Sequence, residues 1–95
     1  MKKSLKITVL GDVQGIDYHE YIRDCATKLS IEGIAQKHEN GAVVIYASGS
    51  ANSLEDLIDS LYEGTKVSKV KQIFYESFLG DKNFHGVFRI IGDFD

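Results

Sequence analysis

The chain contains no proline, so backbone chemistry forbids neither a strand nor a helix interior at any point along it. Its single cysteine, Cys25, excludes an internal disulfide framework and suits a reducing cytoplasm. No uninterrupted apolar run approaches the roughly 18 to 20 residues that cross a bilayer. Residues 5–10 come nearest to such a run at the start, and Lys6 and Thr8 break it. Neither a signal segment nor a membrane span is therefore expected. Excess charge is scarce as well. Eleven Lys and Arg stand against fourteen Asp and Glu, a net charge of −3, and no basic stretch is long enough to follow a phosphate backbone. Nucleic acid is not an expected partner.

What is present is a globular balance of 43% hydrophobic and 26% charged residues in 95 positions, which fits one domain over residues 1–95. Leu5, Ile7 and Val9 alternate with Lys6 and Thr8, the period of a strand with one buried face. Gly11-Asp12-Val13-Gln14-Gly15 follows as a short loop bounded by glycines. Asp17 with Glu20 three residues later has the pattern of a capping box, so a helix is expected to begin there. Tyr18, Ile22, Cys25, Ala26 and Leu29 form its apolar stripe, and Gly33 suits the left-handed position that ends many helices.

Residues 34–38 and 42–47 read as two strands, with Asn40-Gly41 between them as a two-residue hairpin turn. A polar linker at 49–53 offers Asn52 with Glu55, or Ser53 with Asp56, as caps for a second helix. Leu54, Leu57, Ile58 and Leu61 supply its stripe, and Gly64 its end. Residues 67–78 read as an edge strand carrying Lys69 and Lys71, 80–83 as a turn, and 84–91 as a last strand. The order is that of an α+β ferredoxin-like β-α-β-β-α-β sandwich, an antiparallel-dominated sheet with two helices on one face. The first and third strands are expected side by side in parallel at its centre, although the pattern leaves other strand orders open.

Gly11-Asp12-Val13-Gln14-Gly15-Ile16-Asp17-Tyr18-His19 closely resembles the acylphosphatase signature of glycine, any residue, Val-Gln-Gly-Val, any residue, Phe-Arg. Four of its fixed positions coincide, with Ile16 and Tyr18 as conservative changes. The stretch from Gly33 through Gly41 is similar to the family segment that carries an asparagine, and the likeness extends over residues 4–92. The resemblance implies hydrolysis of carboxyl-phosphate anhydrides without a metal or other cofactor. In that chemistry loop N–H groups and the arginine hold the phosphoryl group, and the asparagine orients the attacking water. Residues 13–19 (Val13, Gln14, Gly15, Ile16, Asp17, Tyr18 and His19) would then form the anion-binding loop, since N–H groups at a glycine-rich turn into a helix converge on an anion. Inorganic phosphate or a small phosphorylated molecule is the implied partner.

Two side chains depart from the family. Its arginine falls on His19 and its asparagine on Lys37. The first change replaces a permanently charged fork of donors by a ring with at most two, which makes binding weaker and dependent on pH. The second replaces an amide by an ammonium that attracts phosphate but accepts no proton from water. Arg23, one turn after His19, is a candidate to compensate by leaning back toward the loop. His38 and His85 have no metal or nucleophile partner by spacing, so no metal site is expected. Cys25 reads as a buried thiol. The expectation is an anion-binding domain with weak or absent hydrolysis. The alternatives are an acylphosphatase that uses His19 and Lys37 as catalytic residues, or an interaction domain using aromatic residues on the exposed sheet face.

Overall fold

A computed structural model describes residues 2–13, 15–38, 40–66, 68–78 and 84–91. In chain order these form β1 (Lys3–Asp12), α1 (Ile16–Lys28), β2 (Glu32–Lys37), β3 (Val43–Gly49), α2 (Ala51–Glu63), β4 (Lys69–Ser77) and β5 (Phe88–Ile91). Gln14, Glu39, Val67 and the expected turn at 80–83 lie outside the described residues.

The sheet runs β4-β1-β3-β2-β5. Every neighbouring pair is antiparallel except β2 with β5. The expected parallel contact of the first and third strands is thus corrected: Ile7 stands opposite Ile45 in an antiparallel ladder. The reason is steric and topological. The α1 crossover lays β2 in the same direction as β1 but one strand position away, and the hairpin then returns β3 antiparallel into the gap. Alternation along β1 sends Ile7 and Val9 inward with Val43, Ile45 and Ala35, where Tyr18, Ile22 and Ala26 of α1 and Leu54, Leu57 and Leu61 of α2 cover them. Burying each larger apolar side chain contributes about 1.5–3 kcal/mol, so this two-layer contact dominates the favourable side of folding. Cys25 is half-buried against that core as a free thiol. Among the described residues no helix is long and apolar enough to cross a membrane.

Element ends depart from the sequence pattern in instructive ways. Helix α1 begins at Ile16, two residues earlier than a cap at Asp17 implies, and its cap is Gly15 without any side-chain hydrogen bond, so the Asp17–Glu20 capping box does not form. At its other end Ser30, not Gly33, takes the left-handed conformation (φ 58°). The N–H of Ile31 donates to Ala26 O at 2.9 Å and that of Ser30 to Thr27 O at 3.2 Å, a Schellman closure with buried Ile31 as its apolar contact. Gly33 lies instead inside β2, where a Cβ would collide with the Tyr46 carbonyl oxygen.

The hairpin is also looser than a two-residue turn. His38 N donates to Ala42 O at 2.8 Å and Gly41 N to His38 O at 2.9 Å, leaving three residues between the paired ends. Gly41 has positive φ (86°), as a three-residue loop with a glycine bulge requires. Helix α2 is capped by Ser50, whose Oγ accepts from Ser53 N at 3.1 Å, so neither anticipated capping pair is used. Gly64 does end it, with φ 63°. The last strand is shorter than 84–91, because Val87 N donates to Phe84 O in a turn that delays pairing until Phe88.

Candidate functional site

Strand β1 reaches its end through a bulge at Leu10/Gly11 against β4. Gly11 has φ 141°, and a Cβ there would strike the Lys69 carbonyl oxygen, so only glycine lets the two strands approach this closely. The buried Val13 side chain then ties the loop to the core, and Gly15, with φ −73° and ψ 151°, turns the backbone into α1. The first N–H groups of a helix have no partner within it.

His19 projects from the first turns of α1 into the interior and has no exposed surface. Its ring meets that of Tyr18 edge-on, with centroids 6.5 Å apart. Tyr18 is itself buried, and its hydroxyl donates to Leu61 O at 2.9 Å. Burial lowers the His19 pKa to about 4, aided by the nearby Lys37 ammonium and opposed by a backbone hydrogen bond at Val13 and by the Asp17 carboxylate. The ring is neutral at pH 7. These four influences also define the neighbourhood: the loop at Val13, the start of α1 at Asp17 and the half-buried end of β2 at Lys37 converge on one imidazole. Two residues separated by eighteen positions in sequence are thus brought together.

Other candidates fall elsewhere. Ile16 is exposed at the loop, whereas the side chains of Val13 and Tyr18 are buried in the core. Gln14 cannot be assigned because it lies outside the described residues. Arg23 is on the exposed surface of α1 with its Nε 3.6 Å from Asp24 Oδ1, an orientation toward its own neighbour. Among the described residues no three His, Cys, Asp or Glu side chains gather as metal ligands do. The aromatic residues of β4 are divided: Phe74 pairs with Thr8 on the open face, while Tyr75 pairs with buried Ile7 on the helix side.

Sequence reasoning missed the burial of His19 and the role of Asp17. The first was signalled, since His19, Ile22 and Ala26 follow helical spacing, but a polar residue type hid it. The second had no local signal. Asp17 Oδ2 accepts from Thr65 Oγ1 at 3.1 Å, across 48 positions of sequence.

The five-stranded sheet covered by two helices is a ferredoxin-like α+β fold. The acylphosphatase family model matches residues 5–90. An acylphosphatase of Caldanaerobacter subterraneus subsp. tengcongensis is 31% identical over 90 residues, covering 95% of this chain and 99% of that relative. One from Vibrio cholerae is 35% identical over 72 residues, covering 76% and 79%. The crystal structure of acylphosphatase from Bacillus subtilis superposes with a TM-score of 0.88 at 27% identity, covering 97% of this chain and all of that one. The chain belongs to the acylphosphatase family.

Proposed function

We propose that this chain binds a small phosphate-bearing anion in the loop of residues 13–19 and hydrolyses acyl phosphates weakly or not at all. One observation carries this reading: His19 occupies the position that the family likeness gives to the phosphate-gripping arginine, and it is sealed from solvent and neutral at pH 7. Backbone N–H groups at the start of α1 are the anion donors of this reading, and Lys37, near enough to His19 to act on it electrostatically, is a second cationic contact. Neither group substitutes for the missing chemistry. A neutral imidazole spreads no charge over a developing phosphoryl transition state, and an ammonium takes no proton from an attacking water. Losing one well-placed group of this kind costs about 3–4 kcal/mol, or roughly 10²- to 10³-fold in rate. A cytoplasmic site of action fits the lone free thiol, Cys25.

The test is a gain of function. His19→Arg combined with Lys37→Asn is expected to raise turnover of a small acyl phosphate by about 100-fold or more over the unmodified chain. Circular dichroism checks that both chains are folded, and amide shifts at residues 11–19 on adding inorganic phosphate report binding. Fast turnover by the unmodified chain defeats the proposal. So does a folded chain whose loop amides do not respond to phosphate.

A further inference from the structure

Strand β4 is the outer strand of the sheet, and among the described residues its only paired strand is β1. The ladder continues just past Ser77, where Phe78 N donates to Ser4 O at 3.1 Å. Antiparallel alternation from that bond turns the backbone groups of Phe74 and Glu76 toward β1 and those of Ile73, Tyr75 and Ser77 outward. Such a row of outward N–H and C=O groups is a template for another strand, which many proteins suppress by shortening or charging the edge. Here the lysines, Lys69 and Lys71, occupy one end only. The middle instead carries Phe74 and Tyr75, 51% and 60% exposed, on opposite faces of the sheet.

We propose that β4 pairs antiparallel with β4 of a second copy of this chain about a two-fold axis at Phe74, joining two five-stranded sheets into one. Residues opposite each other in an antiparallel pair share a face, so a symmetric register centres on a residue. Centred on Phe74, Ile73 stands opposite Tyr75 of the second copy, and the reverse. All four have outward backbone groups, so each of these pairs exchanges two hydrogen bonds. The two Phe74 rings then meet at a non-hydrogen-bonded position, where cross-strand side chains come closest. Charge selects the same occupant and direction. Gln72 falls opposite Glu76, and the lysine-bearing end of each strand lies along the Glu76 end of the other, whereas parallel pairing would set lysine beside lysine. Moving the centre to Tyr75 would set Phe74 against Glu76, and moving it to Ile73 would set Lys71 against Tyr75. A contact one strand wide is smaller than standard interfaces, so the dimer is weak and forms at high micromolar concentration.

Sedimentation equilibrium from about 10 µM to about 1 mM is expected to show the mass of the unmodified chain rising from monomer toward dimer, while Phe74→Lys stays monomeric throughout. Phe74 is half exposed, so this variant is expected to remain folded, as circular dichroism checks. Cross-linking at about 1 mM tests the register in a Cys25→Ser background. The oxidant is diamide, which takes up the two electrons and two protons of a thiol pair. In Phe74→Cys the thiols face each other with Cα atoms about 4.5 Å apart, within reach of a disulfide. In Gln72→Cys they are offset by four residues, about 14 Å along the strand, beyond that reach. A covalent dimer from Phe74→Cys and none from Gln72→Cys is the expected result. A monomer mass at every concentration overturns the inference, as does a dimer that persists in Phe74→Lys. Cross-linking that shows no preference for position 74 overturns it as well.

Discussion

A histidine that folds into a sealed space does so as a neutral ring, because a desolvated charge is costly unless a partner compensates it. At His19 the neighbouring ammonium of Lys37 adds to that cost, while Asp17 and the Val13 backbone offset only part of it. The pKa is about 4 in the fold against 6.5 for an ordinary histidine. Between those values the unfolded chain binds more protons than the folded one, so stability rises with pH across this window. It is complete above pH 6.5 and lost as the pH falls toward 4. The ring's share of that loss is about 3 kcal/mol. His19→Gln is expected to flatten the slope of unfolding free energy between pH 6.5 and 4.5, read by urea denaturation at several pH values. An unaltered slope would refute the neutral buried ring. The identity of this residue was legible in the signature, whereas its burial was not, because nothing in the residue type separates a core histidine from a ligand.

At the scale of elements, periodicity located both helices and all five strands, but their ends followed rules that a single-strand pattern does not contain. Gly33 looked like a helix terminator because glycine tolerates positive φ, and in the fold it has a positive φ (155°) within β2, where its lack of a Cβ also allows close pairing with β3. Ser30 bears the left-handed conformation. For a residue with a Cβ that conformation costs roughly 1–2 kcal/mol, and glycine removes the cost while adding about 0.5–1 kcal/mol of backbone entropy to the unfolded chain. Ser30→Gly is therefore expected to stabilise the domain by about 0.5 kcal/mol, measured as a higher urea midpoint without a change in m value. A lower midpoint would show that the serine contributes more than the strain it carries.

Across the whole molecule, one buried carboxylate joins segments far apart in sequence. Glu32, at the start of β2, pairs with the Lys2 ammonium and accepts from Gly86 N at 2.9 Å. It thus ties the beginning of the chain and the turn before β5 to the start of β2. Hydrogen bonds to a charged group contribute about 1.5–3 kcal/mol. In Glu32→Ala the Gly86 amide is expected to exchange at least about tenfold faster, while the amides of Ile7 and Ile45, held in the central ladder, keep their protection. Equal acceleration at all three positions would mean global destabilisation instead of a local tie.

The order of chain composition, alternation and glycine-bounded loop by itself determined the α+β class, the family and the place of the loop, since these depend on local periods and on residues adjacent in sequence. Only the tertiary structure decided that β1 and β3 run antiparallel, that His19 faces inward within electrostatic reach of Lys37, that Arg23 lies 3.6 Å from Asp24, and that Thr65 holds Asp17 beside Gly15. Those outcomes depend on which segments pack together, and the energy that selects them resides in contacts between residues tens of positions apart.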